Sequence, residues 1–306
     1  TGRYALGVLC RSADWFLMRI DSEKDYLDAL IACALREDLD EIGDVTSEAI
    51  FSDSDLAEAV IKCKSHGVLS GIYLIEPLFQ KIDNRIKIEV CCNDGDEAAP
   101  GKVICILHGP VKGILAGERI ILNFLQRLSG IATVTSQYVK AIEHTGTKLL
   151  DTRKTTPTLR FLEKKAVLHG GGLNHRFGLF DMILIKDTHV KQCGGPANAL
   201  KKALDFRSDK KDLKIEVEVQ SFEEFLEAAQ YMPDRIMLDN MSLADMKACV
   251  EHIRKTGTEI ELEASGNITL SNIASVAATG VDFISSGAIT HSAPALDIHL
   301  VIKQAG

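Results

Sequence analysis

The sequence predicts an α/β protein in which an N-terminal α+β, sandwich-like domain precedes an incomplete (β/α) barrel. The main observation is that short apolar strands alternate with amphipathic helices from residue 148 onward, a pattern typical of a parallel sheet with right-handed crossovers. A second observation is that no Gly-x-Gly-x-x-Gly sequence follows the first of these strands. Six such strands without that fingerprint favour a barrel over a dinucleotide-binding fold.

The patterns divide the chain into successive parts. Residues 1–20 contain a brief apolar run and no clear small-residue cleavage site, so we expect a partly disordered leader and not a signal peptide. Residues 21–130 predict the N-terminal α/β domain, and residues 131–291 predict the barrel. A C-terminal helix at residues 292–306 is expected to pack on the N-terminal domain.

The elements of the N-terminal domain are predicted from periodicity and turn residues. A helix is expected at residues 26–38. Turn residues between 86–90 and 103–109 predict a strand pair. Apolar residues at helical spacing then predict a helix at residues 114–128 that closes this domain.

The barrel strands are predicted at residues 148–151, 182–186, 214–219, 235–239, 259–264 and 282–286. Because side chains alternate across a strand, Glu216 and Glu218 share one face, as do Glu261 and Glu263. The apolar residues must face the helices, so these acids and Asp239 are predicted to point into the barrel. Buried acids are costly unless they are paired or coordinated. They therefore either form structural ion pairs, most of all Glu261, or hold a ligand.

Composition and charge exclude several classes of protein. The net charge of −8 argues against a general nucleic-acid binder, which needs clustered Lys and Arg. No apolar run approaches the roughly 20 residues that span a bilayer, so no membrane partner is expected. The eight cysteines form no C-x-x-C pair, which is typical of free thiols in a reducing cytoplasm.

Chemically distinctive residues follow the predicted strands at their C-terminal ends, where barrel enzymes have their active sites. Between residues 148 and 191 there are nine Lys and Arg residues but only four Asp and Glu residues. Arg can grip a carboxylate with two hydrogen bonds, so the pattern predicts a substrate with several anionic groups. The basic candidates are Arg153, Lys154, His175, Arg176 and Lys186.

Two further features indicate a phosphate and a metal ion. Ser-Gly pairs at residues 265–266 and 286–287 each lead from a strand into a helix, as in barrel phosphate sites. Glu218 and Asp239 suit Mg²⁺, which takes one or two carboxylates and completes its shell with water and substrate phosphates. No His/Cys cluster with zinc spacing is present in the sequence.

Seven motifs closely resemble the quinolinate phosphoribosyltransferase family. In chain order they are DTRKTTPTLR, GGGLNHRFGL, ILIKDTH, EVEV, MLDN, EASGNI and SSGAITHS. The N-terminal half agrees through REDLDEIGDVTS and GERIILNFLQRLSGIAT, so the resemblance extends from residue 25 onward. Seven ordered motifs make a chance similarity very improbable.

The resemblance implies a fold, an assembly and a reaction. The fold would be an N-terminal α/β domain plus an incomplete α/β barrel, in a homodimer whose N-terminal domains cover the partners' barrel mouths. The reaction would join quinolinate to phosphoribosyl pyrophosphate with Mg²⁺ as cofactor, giving nicotinate mononucleotide, pyrophosphate and CO₂ for NAD biosynthesis. No organic prosthetic group is expected, because the glycosylated ring nitrogen is cationic and accepts the electrons left by CO₂.

The resemblance also implies roles for individual residues. The dicarboxylate site would consist of Arg153, Lys154, His175, Arg176 and Lys186, with Arg119 from the other subunit. The ribose hydroxyls and Mg²⁺ would be met by Glu218 and Asp239, which with Lys154 and Lys186 form the implied catalytic set. The substrate-binding set at the sugar phosphate would be Ser265, Gly266, Asn267, Ser286, Gly287 and His291.

Some features leave alternatives open. Thr158 stands where the family pattern has Gly, Thr188 stands where it has Asn, and Gln220 replaces an acidic residue or Asn. These differences concern loop geometry and affinity. Pro157 is expected to open the next helix. The alternatives are a relative that acts on another aromatic acid, and a Schiff-base barrel aldolase that uses Lys186.

Overall fold

The computed structural model describes residues 22–210 and 212–303, so the expected leader lies outside the described residues. Its helices are α1 (Glu23–Leu39), α2 (Val45–Ile50), α3 (Ile75–Ile82), α4 (Val111–Ile142), α5 (Arg160–His169), α6 (Asp187–Cys193), α7 (Pro196–Arg207), α8 (Phe222–Ala229), α9 (Leu243–Thr256), α10 (Ile273–Ala277) and α11 (Ala288–His291). Its strands are β1 (Leu56–Cys63), β2 (Gly67–Val68), β3 (Lys87–Val90), β4 (Glu97–Ala98), β5 (Val103–Pro110), β6 (Lys148–Leu150), β7 (Ile183–Ile185), β8 (Ile215–Val219), β9 (Arg235–Asp239), β10 (Glu261–Ser265), β11 (Phe283–Ser285) and β12 (Ile298–Lys303).

An antiparallel sheet of four strands forms the frame of the N-terminal domain, in the order β12-β1-β5-β3. The predicted strand pair is confirmed, because β3 pairs with β5 from Lys87 opposite His108 to Val90 opposite Cys105. Strands β2 and β4 form a separate, two-stranded antiparallel sheet. The predicted first helix is also confirmed, and Ser22 caps it by accepting a hydrogen bond from the backbone N–H of Asp25.

The predicted C-terminal helix at residues 292–306 is wrong. Residues Ile298–Lys303 form β12, which runs antiparallel to β1 with Val301 opposite Val60. The segment IHLVIK is rich in Ile and Val, whose branched side chains fit a pleated strand better than a helix. The segment nevertheless lies on the N-terminal domain, as expected, because it forms an edge of that domain's sheet.

One long helix, α4, connects the two halves of the chain. It has 32 residues and contains the predicted helix at 114–128 as well as the predicted domain boundary at residue 130. It contacts β1, β5 and β12 of the first sheet, and β6 and α5 of the second half. No helix among the described residues, α4 included, is long and apolar enough to cross a membrane.

A second sheet has six parallel strands in the order β6-β11-β10-β9-β8-β7. They confirm the six strands predicted for the incomplete barrel, each within two residues of its predicted bounds. Neighbouring strands are in register, so that Ser265 lies beside Asp239 and Glu218 lies beside Met237. Since all six strands run in one direction, their carboxyl ends and the loops that follow lie along the same edge of the sheet.

The loop between β6 and α5 differs from its predicted form. Pro157 does not open the helix, because α5 begins at Arg160 and Pro157 lies in the preceding turn. Thr158 has a φ of 69°, in the left-handed region that glycine adopts easily and β-branched residues rarely adopt. The hydroxyl of Tyr26 on α1 donates to the carbonyl oxygen of Thr158 at 2.5 Å. This backbone geometry explains why a glycine suits the position.

Candidate active site

The residues predicted from the sequence come together in one place. All of the fourteen candidates except Arg119 line a cavity of about 850 Å³ at the carboxyl edge of the parallel sheet. The thirteen are Arg153, Lys154, His175, Arg176, Lys186, Glu218, Asp239, Ser265, Gly266, Asn267, Ser286, Gly287 and His291. They lie at the carboxyl ends of the parallel strands or in the segments that connect one strand to the next, as expected for a barrel site.

Two arginines give the cavity wall donors that have no protein acceptor. In the described part of the chain, Nε of Arg153 and Nε of Arg176 are both buried without a hydrogen-bond partner. One Nη of Arg176 donates to the carbonyl of Met182 at 3.1 Å, which fixes the guanidinium. Burial, and then the charge of Arg153, lowers the pKa of Arg176. Both side chains line the cavity, so they give its wall two positive charges.

Lys186 and Glu218 form an ion pair at the carboxyl ends of neighbouring strands. The Nζ of Lys186 donates to Oε1 of Glu218 at 2.8 Å, and the backbone N–H of Asp187 donates to the other carboxylate oxygen at 3.2 Å. Asp239, on the next strand, is only half-buried and accepts a long hydrogen bond of 3.5 Å from the Gln220 amide. Its carboxylate is therefore the more open of the two.

The two Ser-Gly loops bring backbone close to the cavity. Gly266 has a φ of 93°, and a Cβ added there would collide with the side chain of Asn240. Asn240 in turn accepts a hydrogen bond from the amide of Asn267 at 3.0 Å. At Gly287 an added Cβ would lie 2.7 Å from Cδ of Lys154. Glycine is required most clearly at Gly266, because a side chain there would be strained by the positive φ as well as by the contact with Asn240.

A buried cluster of charged residues lies beneath the cavity. His175, Glu216 and Glu263 offer ligand atoms within 4.8 Å of one another, and both glutamates are 0% exposed. Arg235 supplies the cation, because one of its Nη atoms lies 2.9 Å from Oε2 of Glu263. Burial raises the pKa of Glu216 and of Glu263 to about 7, although Arg235 opposes both shifts. The predicted structural pairing of Glu261 is also present, since it accepts from Arg235 at 2.9 Å.

A second buried ion pair supports the segment that carries His175. The Nζ of Lys164 lies 2.5 Å from a carboxylate oxygen of Asp151, and both side chains are almost fully buried. The same oxygen of Asp151 accepts the backbone N–H of His175 at 2.8 Å, while Lys164 donates to the His175 carbonyl at 3.0 Å. Burial raises the pKa of Asp151 to about 6, against the effect of Lys164.

Arg119 stands apart from the other candidates. It lies on α4 with its side chain 61% exposed, near Glu118 and outside the cavity. The cavity of one chain therefore contains two of the three predicted arginines, Arg153 and Arg176, but not Arg119.

The sequence reasoning missed several residues of the site. Arg235 lies at the start of β9 and Lys164 lies on α5, so nothing in the linear pattern connects them with the carboxylates that they meet. Asn240 could have been found, because it follows Asp239 in the MLDN motif and so directly follows a strand. Thr152 and Asp187 also line the cavity next to predicted residues.

Comparison with known proteins gives a consistent result over both halves of the chain. Residues 44–129 match the profile described as "Quinolinate phosphoribosyl transferase, N-terminal domain", and residues 131–301 match its C-terminal domain. A protein of Bacillus subtilis named "Probable nicotinate-nucleotide pyrophosphorylase [carboxylating]" is 44% identical, over 84% of this chain and 87% of its own length. The tobacco protein "Quinolinate phosphoribosyltransferase [decarboxylating] 1b" is 42% identical, over 90% of this chain and 82% of its own.

A solved structure agrees with these sequence matches. The nicotinate-nucleotide pyrophosphorylase of Francisella tularensis superposes with a TM-score of 0.85 at 39% identity, and the match covers 92% of this chain and 98% of that one. The match therefore spans both the antiparallel sheet and the six-stranded parallel sheet. The chain belongs to the quinolinate phosphoribosyltransferase family.

Proposed function

We propose that this protein transfers the phosphoribosyl group of phosphoribosyl pyrophosphate to quinolinate and removes CO₂. The products are nicotinate mononucleotide, pyrophosphate and CO₂, a step of NAD biosynthesis. The names of the relatives support this reaction. The observation that carries it is the group of basic side chains, Arg153, Lys154, Arg176 and Lys186, in a cavity that also contains two Ser-Gly loops.

The basic residues of the cavity would bind and orient the dicarboxylate. Arg153 and Arg176 both line the cavity, and a planar guanidinium group can hold a carboxylate with two hydrogen bonds. Lys154 is exposed in the cavity and adds a mobile positive charge. Held in this way, the ring nitrogen of quinolinate faces the anomeric carbon of the sugar, and orientation supplies much of the rate enhancement.

The acidic residues and the glycine loops would bind the phosphoribosyl donor. Gly266 and Gly287 line the cavity and would offer backbone N–H groups to the 5-phosphate, and Ser265 and Ser286 add hydroxyl groups. Glu218 and Asp239 offer acceptors for the ribose hydroxyls. The Nζ of Lys186 donates to Glu218 at 2.8 Å and so holds this carboxylate in place beside the cavity.

Mg²⁺ fits the donor set at the end of β9. Asp239 has a half-buried carboxylate whose single protein partner among the described residues is the distant Gln220 amide, and Glu218 lies on the neighbouring strand. One or two carboxylates are what Mg²⁺ takes from a protein when phosphates complete its shell. When bound, the ion would neutralise charge on the departing pyrophosphate. The buried cluster under the cavity suits a metal less well, because Arg235 already provides its positive charge.

We propose that decarboxylation needs no organic prosthetic group. Glycosylation makes the pyridine nitrogen cationic, and the carboxylate at C2 is attached to the neighbouring carbon. The bond between C2 and that carboxylate breaks heterolytically, its electron pair stays on C2, and a proton from solvent or a nearby acid completes the product. The cationic ring stabilises this electron pair, as an electron sink does in other decarboxylations.

The Schiff-base alternative is disfavoured by the environment of Lys186. A nucleophilic lysine needs a desolvated amine of lowered pKa. The Lys186 side chain is 47% exposed, so it is not desolvated, and its Nζ lies 2.8 Å from a carboxylate oxygen of Glu218. We also propose a cytoplasmic location. The seven described cysteines are free thiols, which supports this location because the cytoplasm is a reducing compartment.

The proposed reaction is tested by product stoichiometry. Purified protein with quinolinate, phosphoribosyl pyrophosphate and Mg²⁺ is expected to release CO₂ and pyrophosphate in equal amounts. Nicotinate serves as the matched control substrate, because it lacks the carboxylate at C2. Turnover of nicotinate without turnover of quinolinate would refute the proposal and favour a relative specific for another aromatic acid.

We further propose a homodimer whose partner completes the site. Arg119 is the one predicted ligand that lies outside its own chain's cavity, and 61% of its side chain is exposed. Exposed apolar side chains at Leu179 (72%) and Phe180 (77%) follow the segment that carries Arg176 and give this region a surface that a second copy would cover.

A further inference from the structure

Both ring nitrogens of His175 are engaged by the protein. A backbone N–H can only donate, and the N–H of Arg176 lies 2.8 Å from Nδ1 of His175. Nδ1 is therefore an acceptor, and the single proton of the neutral ring is on Nε2. Nε2 lies 2.8 Å from Oε2 of Glu216 and donates to it. In this arrangement neither nitrogen remains for a substrate carboxylate.

The surroundings of His175 preserve this arrangement. Its side chain is only 6% exposed, and burial lowers the pKa of the imidazole below its ordinary value, with Glu263 opposing the shift. Protonation at Nδ1 would remove the lone pair that accepts the Arg176 N–H. The main chain of His175 is fixed as well, because Asp151 accepts its N–H and Lys164 donates to its carbonyl.

We infer, on the basis of the proposed function, that His175 is a positioning residue for Arg176 and not a ligand of quinolinate. Its imidazole bridges the backbone N–H of Arg176 to the buried carboxylate of Glu216. The bridge fixes the point from which the Arg176 side chain leaves the main chain. The carbonyl of Met182 fixes its guanidinium end, so the Arg176 side chain is held at both ends where it lines the cavity.

A double-substitution cycle tests whether His175 acts through Arg176. Arg176→Ala is expected to lower kcat/KM for quinolinate by about 10- to 100-fold, as for loss of a hydrogen bond to a charged group. His175→Ala is expected to lower it by about 10-fold, mainly through KM. The double variant should be no worse than Arg176→Ala alone, because the positioned group is already absent. Losses that multiply would overturn the inference.

Two conservative variants distinguish the roles of the two ring nitrogens of His175. Asn in place of His175 puts an amide oxygen near the position of Nδ1 and can still accept the Arg176 N–H. Gln reaches the position of Nε2 instead. His175→Asn is expected to recover most of the KM effect of His175→Ala, whereas His175→Gln is not. The opposite order would indicate a role for Nε2 at the substrate.

A spectroscopic measurement keeps the inference testable even if a variant fails to fold. In native protein with ¹⁵N-labelled histidine, the His175 ring is expected to show the neutral Nε2–H tautomer both free and saturated with quinolinate. A doubly protonated ring in the complex contradicts the inference. If quinolinate does not bind, the proposed function fails, while the spectrum of the free protein still decides whether Nδ1 is the acceptor.

Discussion

Thr158 is a residue with a strained backbone in the loop between β6 and α5. Its φ of 69° places a β-branched side chain in the left-handed region, which costs non-glycine residues about 1–2 kcal/mol. The Tyr26 hydroxyl holds its carbonyl from a distant helix, and that bond does not depend on the Thr158 side chain. The sequence identified Thr158 as unusual, but its dihedral angle could be seen only in the structure.

Thr158→Gly is therefore expected to stabilise the protein by about 1 kcal/mol, the strain relieved less the extra chain entropy of glycine. Urea unfolding measures this change. Thr258→Gly is the matched control, because Thr258 lies between α9 and β10 and is not among the positive-φ residues, so glycine should destabilise the protein there. A Thr158→Gly variant less stable than the native protein would show that the left-handed turn is not strained.

The buried glutamates make the free energy of unfolding depend on pH. The folded pKa of Glu216 and of Glu263 is about 7, and the ordinary value is 4.5. Between these values the unfolded chain ionises first, so the native state loses stability as pH rises. The slope approaches about 1.4 kcal/mol per pH unit for each such group.

Glu263→Gln is expected to flatten this decline between pH 4.5 and about 7, because one buried acid no longer titrates. The free energy of unfolding in urea, measured across that range, gives the slope for each variant. Glu259→Gln removes an exposed glutamate and should leave the slope unchanged. Equal slopes for the native protein and Glu263→Gln would contradict the assigned pKa.

At the scale of elements, the pattern of strands was more informative than the pattern of helices. Alternation of apolar residues predicted all six parallel strands and the inward direction of Glu216, Glu218 and Glu263. It could not predict that Arg235 meets Glu263, because that contact depends on the register between β9 and β10. The C-terminal segment was assigned to the wrong element because six residues are too few to separate the two periodicities.

Gly130 is the position at which α4 approaches the chain after α11. A Cβ there would collide with the carbonyl oxygen of Pro294 and lie 3.2 Å from Cα of Ala295. Gly130→Ala is expected to destabilise the protein by roughly 1–3 kcal/mol through overpacking, although alanine favours a helix. The midpoint of urea unfolding measures this. Gly146→Ala is the control, since nothing lies within 4 Å of its Cβ. A Gly130→Ala variant that is more stable than the native protein would mean that α4 and the chain after α11 can move apart at no cost in free energy.

At the scale of the whole molecule, the shared site is tested by complementation. Arg119→Ala and Arg176→Ala proteins should each keep about a tenth of native activity or less, because each lesion affects both sites of a symmetric dimer. An equal mixture after subunit exchange should recover about a quarter of native activity, since half of the dimers are hybrids with one intact site. Specific activity measures the recovery.

The matched control mixes Arg153→Ala with Arg176→Ala. Both residues line the same chain's cavity, so every site in the hybrid carries a lesion and no recovery is expected. Recovery of activity in this control contradicts a site shared between subunits. Absence of recovery in the mixture of Arg119→Ala and Arg176→Ala also contradicts it, provided that mass spectrometry shows that the subunits have exchanged.

The pairing of β12 with β1 has a consequence for synthesis of the chain. β1 leaves the ribosome early, but one of its two neighbours in the sheet, β12, follows only after the whole six-stranded parallel sheet. During translation, the backbone N–H and C=O groups on the outer edge of β1 therefore remain unpaired until β12 has been synthesised. Such an edge can join a strand of another nascent chain. The order of synthesis thus makes the N-terminal domain the last part of this protein to be finished, although it is the first to emerge.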